Sequence, residues 1–200
     1  MTEARIAGLV LAGGAARRMG GGDKPLLEVA GRAMLARVIA ALGVRPIAIS
    51  ANGDPARFAA FGLPVLPDGA FQGEGPLAGL LAGLRWAAAL GMTGLLTAPG
   101  DTPFLPEGLA DRLQPAPCAA ASLGRRHHLV AVWPVSCADT LHTLLCTHVS
   151  RRAADFAERI GMRYVDFAVL DSDPFANVNT PDELIRARAA VDRGDESNAD

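Results

Sequence analysis

The chain has 200 residues and a mass of 20.7 kDa, enough to bury one substantial core without demanding a second. A formal charge of −2 and a pI near 6.1 exclude the basic footprint that duplex nucleic acid requires. Gly, Arg or Pro cuts every apolar run well short of the ~20 residues of a membrane span. Neither a nucleic-acid nor a membrane partner is therefore expected. The start of the chain lacks an export pattern, and Cys118, Cys137 and Cys146 lack metal-ligand spacing, so the expectation is a reduced, cytoplasmic protein.

Short apolar strands alternate with amphipathic helical stretches, which is the pattern of an α/β domain with a mainly parallel sheet flanked by helices. A strand over 6–11 runs into a glycine-rich loop, 11–24. Met34, Leu35, Val38, Ile39 and Leu42 recur at helical spacing, and Gly43 supplies the stop. Strand 46–50 follows, with Asn52 just past its end. Asp54-Pro55 reads as a cap followed by proline at the first helical position, opening a short helix over 55–61. Strand 63–66 ends at Pro67-Asp68, and a Gly/Pro-rich loop, 69–76, opens a long helix with the buried stripe Leu77, Leu80, Leu81 and Leu84. Strand 95–98 leads into Pro99-Gly100-Asp101-Thr102-Pro103. Further strands are expected at 118–121, at 129–133 in either direction, and at 164–167. Thr180-Pro181-Asp182-Glu183 is a capping box opening the last helix. One domain is expected over 1–192, with a polar tail over 193–200 that frays.

In parallel α/β sheets, ligands gather outside the carboxyl ends of the strands, and four polar groups fall on that edge: the loop 11–24, Asn52, Asp68 and Asp101. Lys24 is the only lysine in the chain and sits in the glycine loop with Arg17 and Arg18. Glycines let backbone N–H groups approach anionic oxygens, while a compact ammonium acts as a point charge between phosphates where a guanidinium needs more room. Asp101 follows an apolar strand and can project toward a phosphate held by that loop, which makes it the expected Mg²⁺ ligand. Taken singly, Asp101, Asp68-Gly69 and Asn52-Gly53 are also ordinary turn residues, and Asn177 and Asn179 need do no more than organise the turn before the last helix. Their joint placement on one edge favours the ligand-binding reading.

Familiar phosphate motifs do not match. Gly22-Asp23-Lys24-Pro25 is not the end of a P-loop, and Gly13-Gly14-Ala15-Ala16-Arg17 lacks the third glycine of the dinucleotide fingerprint. His127-His128 cannot both reach one metal from a regular strand, so one is expected to face a pocket and the other solvent.

Leu11-Ala12-Gly13-Gly14, Arg17-Arg18-Met19-Gly20, and Asp23-Lys24 with Leu26-Leu27 resemble the signature loop of the nucleotidyltransferases that activate molybdopterin. Pro67-Asp68, Gly75-Pro76-Leu77-Ala78-Gly79-Leu80, Pro99-Gly100-Asp101-Thr102-Pro103-Phe104 and Asn177-Val178-Asn179-Thr180-Pro181-Asp182-Glu183-Leu184 then follow in the order of the molybdenum cofactor guanylyltransferase family, across almost the whole chain. The resemblance implies a single Rossmann-like nucleotidyltransferase domain. It implies an enzyme that binds GTP and Mg²⁺, joins GMP to the terminal phosphate of molybdenum-molybdopterin, and releases pyrophosphate. Carried over by motif, Leu11, Ala12, Gly13, Gly14, Lys24, Asn52, Asp68 and Asp101 would meet GTP, and Asp101 would also hold Mg²⁺. Lys24, Asp101, Arg17 and Arg18 would serve catalysis, while residues 125–128 and the turn Asn177 to Thr180 would lie nearer the pterin. Molybdopterin-insertion proteins and acceptor molybdoenzymes are the further partners implied, and a monomer is expected.

His127-His128 departs from the family's common His-Pro. The related cytidylyltransferases usually carry Leu-Ala-Ala-Gly where this chain has Leu11-Ala12-Gly13-Gly14, and losing that Cβ leaves room for a purine, a difference of about 1–3 kcal/mol. CMP transfer to the pterin, nucleotide transfer to another small phosphate, and a non-catalytic nucleotide or cofactor carrier are the alternatives.

Overall fold

A computed structural model describes residues 4–13, 24–169 and 172–196. In chain order the elements are β1 (Ile6–Leu11), a hairpin of β2 (Glu28–Val29) and β3 (Arg32–Ala33), α1 (Met34–Leu42), β4 (Ile47–Ser50), β5 (Val65–Leu66), α2 (Pro76–Ala89) and β6 (Gly94–Pro99). They continue with α3 (Leu109–Arg112), β7 (Cys118–Ser122), β8 (Arg125–Pro134), α4 (Ala138–Cys146), α5 (Ala153–Arg159), β9 (Arg163–Asp166) and α6 (Pro181–Glu196). The main sheet has the order β5-β4-β1-β6-β8-β7-β9. β8 runs antiparallel to both β6 and β7, and the other pairs in this sheet are parallel. The mainly parallel reading therefore holds, and the direction left open for the strand at 129–133 is antiparallel.

Period-2 alternation along β1 sets the two cores. Ile6 and Val10 face one side, where α1 contributes Leu35, Val38 and Leu42 and α3 contributes Leu109. Ala7 and Leu9 face the other, where they meet Leu77, Leu80, Leu81 and Leu84 of α2, Leu141, Leu144 and Leu145 of α4, and Phe156 of α5. Because β1 is buried on both faces it reads as a nearly continuous apolar run, as a central parallel strand must. Each fully buried Leu or Val contributes roughly 1.5–3 kcal/mol relative to exposure, so these two layers dominate the stabilisation. α6 closes a third, smaller cluster in which Ala187 meets Val29, Met34 and Val178. Among the described residues, no helix is long and apolar enough to cross a membrane.

Several elements differ from the sequence reading. Asp54 does cap, accepting from the Ala56 N–H at 2.8 Å, but the helix it opens, Pro55–Phe61, is 3₁₀. The strand expected over 63–66 shortens to Val65–Leu66. The β2–β3 hairpin went unforeseen because Ala30 occupies the first positive-φ position of its turn (φ 47°, then Gly31 at 68°), where Asn or Asp would have signalled it. α4 and α5, of nine and seven residues, were also not foreseen. α6 runs through Glu196, so the stretch expected to fray from Arg193 begins inside a helix, and residues 197–200 lie outside the described residues.

Candidate active site

The parallel strands end flush. Leu11 pairs with both Ser50 and Pro99, and Ser50 pairs with Leu66, so the residues after β1, β4, β5 and β6 emerge at one level. Backbone bonds continue this alignment past the strand ends: Ala12 N–H donates to Ser50 O at 2.9 Å, and Gly100 N–H to Leu11 O at 3.0 Å. Ala12 is buried, Leu11 half-buried and Gly13 exposed. On the β4–β5 side, Asn52 and Asp68 grip each other reciprocally. The Asn52 amide donates to Asp68 Oδ2 at 2.6 Å, and its carbonyl accepts from the Asp68 N–H at 3.0 Å. Gly79 explains how α2 comes so close to this pair. A Cβ there would stand 2.1 Å from Ser50 Oγ and 3.3 Å from Asp68 Oδ1, so only glycine permits the approach.

Lys24 and Asp101 meet at the β1–β6 junction. The Lys24 ammonium donates to Asp101 Oδ2 and, at 2.5 Å, to Asn179 Oδ1. The other carboxylate oxygen, Asp101 Oδ1, is buried and has no hydrogen-bond partner among the described residues. A buried carboxylate oxygen left unpaired carries a desolvation cost, so this atom is poised for a cation or donor. The Val178 N–H donates to Asp101 O at 2.9 Å, tying the Asn177–Thr180 turn to β6. Glu183 organises that turn: its Oε2 accepts from the N–H groups of Asn179 (2.6 Å) and Thr180 (2.9 Å), and the Glu183 N–H donates to Thr180 Oγ1 at 3.2 Å. The Asn179 N–H foremost holds the Glu183 carboxyl below its ordinary range. The capping box thus aims Asn179 at Lys24 while it starts α6.

The antiparallel half of the edge is built differently. Between β7 and β8 the register jumps from Ala119↔Ala131 to Ala120↔His127, so His128, Leu129 and Val130 form a bulge. Thr97 secures it: the Trp133 indole donates to the Thr97 hydroxyl at 2.9 Å, and that hydroxyl donates to Leu129 O at 2.8 Å. Beyond the bulge, Ser122 Oγ lies 2.7 Å from His127 Nε2 and donates to Asp173 Oδ1 at 2.8 Å. The His127 ring packs on Phe175, centroids 4.7 Å apart, while His128 meets the Tyr164 hydroxyl at 3.1 Å. Burial, first of all, lowers the pKa of both histidines, and nearby arginines add to it.

His127 and His128 both line one cleft of about 400 Å³, which contains Pro99, Thr102, Arg152, Phe175 and Asn177 as well. The expectation that one histidine would face a pocket and the other solvent rested on regular strand alternation, which the bulge removes. Of the residues picked from sequence, the structure groups Lys24 with Asp101 and Asn52 with Asp68 along the strand ends that carry Leu11, Ala12 and Gly13. Gly14, Arg17 and Arg18 lie outside the described residues. Ser122, Asp173 and Phe175 were missed: Asp173-Pro174 reads as plain turn chemistry, and its bond to Ser122 joins positions 51 residues apart.

A mainly parallel sheet that sets one lysine against one carboxylate over its carboxyl edge, beside a second polar cleft, is the frame of an α/β nucleotide-transferring domain. Residues 8–160 match the family described as the MobA-like NTP transferase domain. The chain is 56% identical over 183 residues to the molybdenum cofactor guanylyltransferase of Acidiphilium cryptum, covering 90% of this chain and 93% of that one. It is 48% identical over 195 residues to the molybdenum cofactor guanylyltransferase of Mesorhizobium japonicum, covering 91% and 94%. In fold it is similar to molybdopterin-guanine dinucleotide biosynthesis protein A from Archaeoglobus fulgidus, with a TM-score of 0.73 at 22% identity over 94% of this chain and 99% of that one. The chain belongs to the MobA-like NTP transferase family and, within it, to the group of the molybdenum cofactor guanylyltransferases.

Proposed function

We propose that this protein transfers GMP from GTP to the terminal phosphate of molybdenum-molybdopterin, giving the guanine dinucleotide cofactor and pyrophosphate. The observation that carries the reading is the Lys24–Asp101 pair at the sheet edge, with Asp101 Oδ1 unpaired, in a chain of this family. An oxygen of the acceptor's phosphate attacks the α-phosphorus of GTP in line. The new P–O bond forms as the bond to the β-phosphate oxygen breaks, and pyrophosphate carries that electron pair away. No protein nucleophile is required, because the attacking phosphate is already an anion at neutral pH. The task of the protein is to bring two polyanions together and neutralise developing charge.

Lys24 supplies a fixed ammonium at the phosphates, with Arg17 and Arg18 from the same loop. Leu11, Ala12 and Gly13 line the nucleotide's path, Gly14 is assigned to it by the motif alone, and the Asn52–Asp68 pair presents polar edges to it. Asp101 fits a Mg²⁺ site of the kind completed by substrate phosphates and water: one hard carboxylate with a buried, unpartnered oxygen. Asp101 is the residue that would hold Mg²⁺, which when bound would offset phosphate charge. Glycine at position 13, where the related cytidylyltransferases usually carry alanine, removes a Cβ beside the base and so favours a purine. The enzyme acts as a cytoplasmic monomer and passes its product to insertion proteins and acceptor molybdoenzymes.

Pyrophosphate release by purified protein with Mg²⁺ and molybdenum-molybdopterin, run in parallel with GTP and CTP, tests this. Strong preference for GTP is expected. Preference for CTP would overturn the base assignment, and no release from protein that binds both ligands would replace the enzyme with a carrier.

A further inference from the structure

The cluster Ser122, His127 and Asp173 lies outside the nucleotide site described above, and its hydrogen bonds leave only one arrangement of protons. Asp173 Oδ1 accepts from the Phe175 N–H at 3.0 Å, so that oxygen is an acceptor. The Ser122 hydroxyl, 2.8 Å from the same oxygen, therefore spends its single proton on Asp173. With that proton committed, Ser122 Oγ can only accept at its 2.7 Å contact with His127, and His127 must carry hydrogen on Nε2. Nδ1 is then the remaining ring nitrogen, and it has no protein partner among the described residues. One face of the ring is covered by Phe175, and the residue lines the cleft with Asn177 and Arg152.

Burial keeps the imidazole neutral, and the charges of Arg125 and His128 act in the same direction against the opposing pull of Asp173. A neutral ring protonated on Nε2 exposes a lone pair on Nδ1. The cleft thus has an aromatic wall and, on the lining residue His127, a fixed hydrogen-bond acceptor, which suits a planar heterocycle whose edge carries N–H groups.

We propose that His127 is a specificity-determining residue of the acceptor subsite, its Nδ1 accepting from an N–H on the pterin edge, with Ser122 and Asp173 as positioning residues that fix its tautomer. This rests on the cleft holding the pterin acceptor, as the proposed function requires. The role does not involve the attacking phosphate, so it should be visible in binding as well as in turnover.

The test is anaerobic titration of the full-length protein with molybdopterin and, separately, with GTP, for the wild type and for His127→Phe, His127→Asn and Ser122→Ala. Phe keeps the ring and its stacking but has no acceptor, whereas Asn places an amide oxygen near the position of Nδ1. His127→Phe is expected to weaken molybdopterin binding ~10-fold, the size of one lost neutral hydrogen bond, and to leave GTP binding and thermal midpoint unchanged. His127→Asn should restore most of that loss, and Ser122→Ala should fall between them. As pH falls below the ordinary histidine range, Nδ1 gains a proton and ceases to accept. Wild-type affinity should then drop, while the Asn variant, with no titrating ring at this position, should lose less. Equal binding by wild type and His127→Phe, equal loss in the Phe and Asn variants, or a parallel loss of GTP affinity would each overturn the proposal. Pyrophosphate release is measured on the same samples. Absence of release with the binding contrast intact refutes guanylyl transfer and leaves the subsite standing, whereas release without the contrast refutes only the role of His127.

Discussion

On the half of the sheet edge formed by β1, β4, β5 and β6, the polar groups of the site hang from turns directly after parallel strands. On the half formed by β7 and β8, they meet across a bulge and a returning segment. The first half is charged, with Lys24 ion-paired to Asp101. The second is built from the hydrogen bonds that join His127, Ser122 and Asp173 and from the His127 ring packed at a tilt on Phe175. A triphosphate needs fixed charge, and a heterocycle needs a shaped wall with directed acceptors, so the difference in construction matches the difference between the two substrates of the proposed reaction.

Asp101→Asn should separate the halves most sharply. It removes the charge that holds Mg²⁺ and balances Lys24, but keeps the shape of the side chain. Turnover should fall about 10³-fold, as when one preorganised group is lost at a developing charge, while molybdopterin binding and thermal midpoint stay at wild-type values. Steady-state pyrophosphate release and calorimetry check this, and retained turnover would remove Asp101 from the chemistry. Lys24→Met should reduce kcat about 10²-fold, and Lys24→Arg should not rescue it, because a planar fork cannot occupy the point between Asp101 and Asn179. Lys24 also touches the Asn179 turn, so its loss should raise KM for the acceptor as well, unlike the loss of Asp101. An unchanged acceptor KM would show that the two halves are not joined through this ammonium.

Asn52→Ala should give a smaller, one-sided effect. Asn52 makes two hydrogen bonds to Asp68, and removing them frees a carboxylate beside the nucleotide path. KM for GTP should rise about 10-fold with kcat preserved, the signature of lost uniform binding. A fall in kcat of the same size would instead place Asn52 in the transition-state interactions.

How much of this was legible in the sequence follows the same division. Asn52, Asp68 and Asp101 were readable because each lies within a few residues of an apolar strand and parallel topology brings such turns to one edge, and Lys24 because it is the only lysine and sits in the glycine-rich loop after β1. The α2 stripe of Leu77, Leu80, Leu81 and Leu84 was equally plain, and β1 stood out as a nearly continuous apolar run. Ser122 and Asp173 were not readable, since nothing local distinguishes them from ordinary turn residues and their contact depends on where residues 172–179 return over the sheet. The shared cleft of His127 and His128 was hidden for another reason. Strand alternation predicts opposite faces, and a three-residue bulge leaves no pattern in a sequence as apolar as Leu129–Trp133. Asn179 fell between these cases: its capping-box neighbours were visible, but its bond to Lys24 spans 155 positions.

The bulge itself can be tested through the buried residue that holds it. Thr97 is fully inaccessible, and its hydroxyl serves the Trp133 indole and the Leu129 carbonyl together. Thr97→Val keeps the shape and leaves both partners without a bond, at a cost of about 1–3 kcal/mol for each buried group. In a chain of this size, each kcal/mol lost lowers the thermal midpoint by roughly 2–4 °C, so the destabilisation should be visible by calorimetry. Leu129 lies two residues from His127, whereas Asn52 and Asp68 lie on the far side of β1. Acceptor affinity should therefore fall a few-fold while KM for GTP does not move. If stability fell and both affinities were kept, Thr97 would serve the core alone and the bulge would owe its shape to the β7–β8 pairing. If both affinities fell together, the two halves of the edge would be one mechanical unit, and their chemical division would have no counterpart in how the fold supports them.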